Sequence, residues 1–381
     1  MKKIINAFPG YEYIDGQNMY MGENVGRGGY VYAEKGIWGN VALLDIQSMH
    51  PNSIINMNCF GQYTPKYKEL MDARLAIKHG DYESARGMLG GKLAPYLDDP
   101  SDAKALSDAL KTAINSVYGL TSASFDNPFR DSRNENNIVA LRGALFMVTL
   151  KHEVQKRGYS VVHIKTDSIK IADQSDEIVK FCMDFAADYG YSFEFQAIYD
   201  KMCLVNDAVY IAKIRKDFED PSMDGQWTAT GAQFQHPYVF KTMFSKKPIV
   251  FNDLCEIKSV STALYLDMNE NLPEGEHNYH FIGKVGRFCP MIFGCGGGEL
   301  LRQINEGKYS SATGAKGYRW MESNMVKNLK LEDKIDYGYF NHLVDDASKA
   351  ISNLGDLEWF CSEDEYTNPP FNAGPLKGAG Y

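Results

Sequence analysis

The sequence predicts an α+β fold: an antiparallel sheet backed by helices, with a helical pair set into it. Three observations predict it. Residues 161–164 and 169–171 are β-rich runs around the short polar tip Lys165-Thr166-Asp167-Ser168, the pattern of a hairpin. Residues 41–44, Val-Ala-Leu-Leu, read as a buried strand that emerges at Asp45. Residues 101–118 place Ala103, Leu106, Leu110, Ala113, Ile114 and Val117 at spacings of three and four, the period of an amphipathic helix.

Taken in order, the strand ending at Asp45 is followed by a helical pattern over 66–89. Leu70, Met71, Leu75 and Ile77 form its apolar side, while Arg74 and Lys78 stand one turn apart; Gly80 and Gly90-Gly91 break it. The next helix, 101–118, carries Lys104, Asp108, Lys111, Asn115 and Tyr118 on a second face. Gly119 ends that run, as helix C-termini prefer, and would let a base approach the backbone closely. The two helical stretches are expected to form an antiparallel hairpin. Helices over 137–157 and 175–189 back the sheet around the 161–171 hairpin.

The chemistry lies in the order of these parts. A hairpin-tip aspartate beside the first strand's end would bring Asp167 to Asp45, two carboxylates for a pair of Mg²⁺ ions roughly 3.5–4 Å apart. Mg²⁺ takes one or two protein carboxylates and completes its shell with phosphate and water, so two aspartates suffice. Arg74, Lys78 and Lys111 would clamp a triphosphate through charge and position. Each block alone has a plain structural explanation, since aspartates are common in turns and after strands, and a lysine is common on a solvated helix face. The ordered trio is what points to nucleotidyl transfer.

Asp45-x-x-Ser48-Met49-His50-Pro51, Lys111-x-x-x-Asn115-Ser116-x-Tyr118-Gly119 and Lys165-Thr166-Asp167-Ser168 resemble, in order, the three polymerase motifs of family B DNA polymerases, bacteriophage members most. Gly28-Gly29-Tyr30 looks like that family's template-contacting Tyr-x-Gly-Gly element, and Arg74 like the arginine that grips the incoming nucleotide. The resemblance runs from about residue 28 to at least 210. It implies a right-handed polymerase: an antiparallel-sheet palm from 1–62 and 120–235, helical-hairpin fingers from 63–119, and a mostly helical thumb with a loose tail from 236–381. It implies DNA-templated addition of deoxynucleotides to a primer 3′-end by two-metal phosphoryl transfer. Asp45, Asp167 and the Ile46 carbonyl would hold two Mg²⁺ ions, with Mn²⁺ able to substitute. Arg74, Lys78 and Lys111 would hold the triphosphate, and Ser48, Met49, His50, Asn115 and Tyr118 would surround the nucleotide. His50 would check the sugar, and Gly28, Gly29, Gly119 and Tyr210 would meet DNA.

Three departures from the family pattern stand out. His50 replaces a tyrosine, Lys165 replaces the first aspartate of the hairpin motif, and Ala208-Val209-Tyr210 lacks the lysine of the primer-gripping Lys-x-Tyr, for which Lys213 or Lys201 is a substitute. Only 44 residues precede Asp45, too few for an exonuclease domain. No proofreading by this chain is therefore expected: it is either a split polymerase whose exonuclease is a separate subunit, a polymerase that has none, or a truncated chain. The partners would be primer–template DNA and deoxynucleoside triphosphates, joined in the split case by that exonuclease subunit and other replisome proteins. The alternatives are a catalytically silent, polymerase-like DNA-binding subunit, and a reverse transcriptase or RNA polymerase, which the helix motif disfavours.

The 381 residues, 44% of them apolar, can bury a large core. Seven scattered cysteines without a zinc spacing read as reduced thiols of a cytoplasmic protein, and no signal peptide or membrane-length apolar run appears. A net charge of −9 argues against nucleic-acid binding, but its distribution is uneven. Residues 281–330 hold eight basic against three acidic side chains, and 331–381 hold three against ten. The glycine-rich loops 294–298 and 314–317 lie in the basic stretch, where they are either a duplex-backbone contact or ordinary solvated surface.

Overall fold

The computed structural model describes residues 2–130 and 137–366. The chain divides into two compact units: residues up to Asp207 with Ile214–Gly225 and Tyr366, and Ala208–Lys213 with Gln226–Glu365. Among the described residues no helix is long and apolar enough to cross a membrane. The tail expected at 368–380 lies outside the described residues.

In the first unit, α1 (Lys2–Ala7) precedes a small antiparallel sheet of β1 (Glu12–Ile14), β2 (Gln17–Tyr20) and β3 (Glu23–Asn24). β4 (Val31–Ala33), β5 (Gly36–Ile46), α2 (Met49–Asn56), α3 (Thr64–Lys78), α4 (Tyr82–Gly87), α5 (Pro100–Thr121) and α6 (Ile138–Lys156) follow. The hairpin β6 (Val161–Lys165) and β7 (Ser168–Ile171), then α7 (Asp176–Asp188) and β8 (Phe193–Asn206), complete it. The strands lie in the order β8-β5-β7-β6-β4, every neighbouring pair antiparallel. β5 reads as a near-continuous apolar run because both its faces are covered: Val41, Ala42 and Leu44 are fully buried. α6 is apolar nearly all round for the same reason, with buried residues from Ile138 to Val154. Its Phe146 ring meets Phe185, Tyr189, Tyr191 and Phe193, so truncation to alanine should cost about 3–5 kcal/mol.

α3 and α5 form the inserted helical pair. The Tyr67 hydroxyl at the start of α3 donates to the Ile114 carbonyl late in α5 at 3.2 Å, whereas Ile77 at the end of α3 clusters with Ala103 at the start of α5. The two helices therefore run antiparallel. α3 stops at Lys78, because Gly80 turns to φ +76°, so helix does not run on to residue 89. α5 begins at an Asp99 cap, whose carboxylate accepts the Ser101 N–H at 2.7 Å, with Pro100 at the first helical position. It continues through Gly119 to Thr121, so Gly119 is not the helix stop its residue type suggests. Nothing within 4 Å would meet a Cβ there, which leaves the backbone approachable.

The second unit departs further from expectation. The first residues of β9 (Val209–Asp217) pair with β10 (Trp227–Thr230), Tyr210 standing opposite Thr230. After α8 (Ala232–Gln235) and α9 (Pro237–Phe240) comes a five-stranded antiparallel sheet instead of the mostly helical region expected at 236–381. It comprises β11 (Glu256–Asp267), β12 (Tyr279–Met291), β13 (Glu299–Asn305), β14 (Lys308–Ser311) and β15 (Arg319–Glu322), in the order β14-β13-β11-β12-β15. The cause is period-two patterning: Leu264 and Leu266 of β11 enter the core with Phe288 of β12 and Leu300 of β13, while Ile257, Phe281 and Val285 stay exposed. Helices α10 (Ser323–Asn328), α11 (Tyr337–Ser352) and α12 (Leu357–Cys361) follow, and Phe340 of α11 buries in the same core as Trp320.

Candidate active site

The first unit holds a cleft of about 440 Å³ whose walls have opposite chemistry. Strand ends and turns supply Asp45, Asp167, Glu194 and Glu219; helices α3 and α5 supply Arg74, Lys78, Lys111, Asn115 and Tyr118. Ile46, Gln47, Ser48, Met49, His50 and Pro51 connect the walls.

Local structure explains how the two aspartates meet. β5 pairs with β7 so that Asp45 stands opposite Ser168, and the Ile46 N–H donates to the Asp167 carbonyl at 2.8 Å. Asp167 occupies the two-residue turn of β6–β7, where Thr166 adopts φ +58°. That turn is held from behind: the Thr166 N–H donates to the Tyr30 carbonyl at 2.9 Å, and a Cβ on Gly29 would collide with the Thr166 side chain. Gly29 is therefore required for close packing of its segment on the aspartate turn. On the other side, β5 pairs with β8 so that Asp45 faces Glu194, next to a register irregularity at Leu43/Leu44. Such bulges re-aim side chains beside functional sites, and Gln196, on the β8 side of the irregularity, lines the cleft.

The acids are not electrically balanced. Burial first, then the neighbouring Asp167 and Glu194, pushes the Asp45 carboxyl up to about 7, against the pull of Lys170. Lys170 is buried behind the cleft, its Nζ 3.2 Å from His163 Nδ1; burial and that ammonium bring the His163 imidazole down to about 4. On the facing wall, neither Arg74 nor Lys111 is ion-paired among the described residues, and Arg74 Nε is buried without a hydrogen-bond partner. Lys78 differs. Its ammonium contacts Glu194 at 3.0 Å and Glu219 at 3.5 Å, and Gln47 Nε2 donates to the same Glu194 at 2.7 Å. Burial would raise the Glu194 carboxyl, but hydrogen bonds from Lys78, Gln47 and His79 carry it below its usual range.

The floor is aromatic. His50 and Tyr118 meet edge to face with ring centroids 4.6 Å apart. The Tyr118 hydroxyl donates to Asn137 Oδ1 at 2.7 Å, and Asn137 Nδ2 donates to the Arg27 carbonyl at 2.9 Å. Burial outweighs the attraction of Asp167 and lowers the His50 pKa, so the ring is neutral at neutral pH. Ser48, with φ 54°, turns the chain into α2. Met49 is buried against Gly143, so it can offer a ligand only its backbone.

The cleft thus gathers Asp45, Ile46, Asp167, Arg74, Lys78, Lys111, Ser48, Met49, His50, Asn115 and Tyr118. Gly28, Gly29 and Gly119 do not line it, and Tyr210 belongs to the second unit. The substitutes for the absent primer-gripping lysine also change: Lys201 is fully buried, and Lys213 is paired with Glu363 at 2.7 Å. Sequence reasoning missed Glu194, Gln196, Glu219 and Gln47. The alternation Phe193-Glu194-Phe195-Gln196 was the visible signal for the first two; the pairing with β5 that brings them to Asp45 was not visible.

Hard oxygen donors crowded by burial and by one another fit a divalent cation, whose charge would relieve the repulsion at Asp45. Among the described residues no group of three or more His, Cys, Asp or Glu side chains is arranged to hold a metal unaided. A bound phosphate and water would have to complete the shell.

No protein-family model and no curated protein matches the chain. Among solved structures it is similar to the family B DNA polymerase from the hyperthermophilic archaeon Pyrobaculum calidifontis, at 13% identity and a TM-score of 0.45. The match covers 85% of this chain, which spans 46% of that one. A likeness this loose carries no argument about activity.

Proposed function

We propose that the chain is a template-directed DNA polymerase that adds deoxynucleotides to a primer 3′-end. One observation carries the reading: a single cleft opposes the crowded carboxylates Asp45 and Asp167 to Arg74 and Lys111, which are without an ion pair among the described residues. Dipolar demand of that kind suits a ligand that is cationic on one side and polyanionic on the other, as a metal-bound triphosphate is. Two Mg²⁺ ions held by Asp45, Asp167 and the Ile46 carbonyl would supply charge neutralisation and an acidified 3′-hydroxyl. The protein's own share is positioning. Arg74 and Lys111 bind phosphate oxygens, which gives the buried Arg74 Nε the acceptor it lacks. Lys78 joins them only by releasing Glu194. Tyr118 and His50 form the shelf for base and sugar, and the imidazole ring blocks a 2′-hydroxyl sterically.

Primer extension by the full chain tests the proposal, with Mg²⁺, four deoxynucleotides and a primer–template of defined sequence. Template-encoded extension is expected. A chain that binds the duplex and adds nothing would instead be a silent DNA-binding subunit. His50→Ala should admit ribonucleotides about ten-fold better, and unchanged discrimination would remove His50 from the sugar check.

A further inference from the structure

The second unit contains a pair of thiols that the proposed reaction does not use. Cys255 precedes β11 and Cys289 lies on β12. The register that sets Glu256 opposite Phe288 sets Cys255 opposite Cys289 one residue further on. Opposed residues of an antiparallel pair sit about 4.5–5.5 Å apart at Cα, within the roughly 4.4–6.8 Å a disulfide spans. Here the two Sγ atoms are 3.5 Å apart, and both thiols are free. Cys289 is fully buried, while Cys255 is only partly so, and a small reagent therefore meets Cys255 first.

We propose that Cys255 and Cys289 form a peroxide-reactive thiol pair, Cys255 attacking and Cys289 resolving, which a hydroperoxide closes into a disulfide. The surroundings divide the two roles. Arg287 on β12 donates to the Asn252 carbonyl at 3.2 Å, and the Lys327 ammonium on α10 stands 4.6 Å over the Phe251 ring, so both cations border the segment leading into Cys255. Asp253 is the opposing acid, and Lys241 already holds it at 2.7 Å. The hydrogen bond from Cys289, then Arg287 and Lys327, lower the Cys255 thiol pKa against burial and Asp253. The same bond, with burial, pushes Cys289 up. Cys255 Sγ also donates to the Phe251 carbonyl at 3.2 Å, and as the more exposed sulfur beside both cations it is the one a small oxidant reaches.

The chemistry balances with hydrogen peroxide as oxidant. The Cys255 thiolate attacks one peroxide oxygen and breaks the O–O bond, giving a sulfenic acid and hydroxide, which takes up the proton Cys255 had released. The Cys289 sulfur then attacks the Cys255 sulfur, and the sulfenic hydroxyl leaves as water with the Cys289 proton. Two thiols are oxidised by two electrons, and the peroxide becomes two waters.

Peptide mapping of the unreduced full chain after treatment with a few equivalents of hydrogen peroxide tests this. The expected product is a peptide pair joined through Cys255 and Cys289, about 2 Da lighter than the two reduced peptides and separated again by dithiothreitol. Cys255 left reduced, carried to sulfinic acid, or joined to another cysteine such as Cys295 would overturn the proposal. In Cys289→Ser, dimedone should trap a sulfenic acid on Cys255; trapping elsewhere or none would remove the attacking role. Should that variant fail to fold, the map of the unsubstituted chain still decides.

Discussion

Two half-buried carboxylates of the first unit meet opposite fates. Glu23, at the edge of the small N-terminal sheet, accepts the Lys151 ammonium on both oxygens at 2.7 Å and also contacts His152 at 2.7 Å. Tyr30 completes the group, its hydroxyl 2.8 Å from the same ammonium. Burial would raise Glu23, but the Lys151, Tyr30 and His152 hydrogen bonds hold its carboxyl below the usual range. Asp45, on the main sheet, is buried beside further acids and is pushed up to about 7. A satisfied acid anchors structure; an acid left unbalanced beside its like marks a place where a ligand belongs. The two are also joined, since Tyr30 of the balanced cluster follows Gly29, whose close packing supports the Asp167 turn.

The largest expected effect of breaking this contrast is catalytic. Asp167→Asn should cut primer extension by about 10³-fold or more while leaving duplex binding within a few-fold. It should also bring the Asp45 pKa down toward the ordinary range, which carboxyl-resolved NMR would read. Next comes the balanced cluster. Lys151→Ala strands Glu23 and Tyr30, and should destabilise the chain by about 2–3 kcal/mol in denaturant titration. A loss below about 0.5 kcal/mol would mean that the cluster contributes as little as a surface pair.

The smallest effect has opposite signs at the two acids. Glu23 has a lowered folded pKa, so its contribution is present above the unfolded value near 4.3 and is lost as pH falls through the folded value. Asp45 has a raised one, so the folded state holds the extra proton and stability declines as pH rises from about 4 to about 7. Asp45→Asn should therefore stabilise the metal-free protein at pH 8, by on the order of 1–2 kcal/mol, and do nothing at pH 4. Glu23→Gln should destabilise it at pH 8 and progressively less toward pH 3. Parallel pH curves for the two variants would erase the distinction.

What the sequence disclosed follows the range of each interaction. Asp45 and Asp167 are legible because a strand end and a two-residue turn are local, and Lys111, Asn115 and Tyr118 because one helix face repeats. Glu194 enters through the β5–β8 register, a pairing between distant segments that one sequence does not encode visibly. The capture of Lys78 by Glu194 and Glu219 is hidden for the same reason. The second unit is where sequence and structure differ most: segments such as Glu256-Ile257-Lys258-Ser259-Val260 alternate, but their polar members conceal a strand whose core side, Leu264 and Leu266, meets Phe288 and Leu300 only in the fold.

The most direct test is a cation titration of thermal stability at pH 8, with a deoxynucleoside triphosphate present and no nucleic acid, for the natural chain and for Asp45→Asn and Asp167→Asn. If the paired aspartates are a divalent-cation site, millimolar Mg²⁺ or Mn²⁺ should raise the melting temperature of the natural chain by several degrees, and of neither variant. An equal rise in all three, or none in the natural chain, would contradict it.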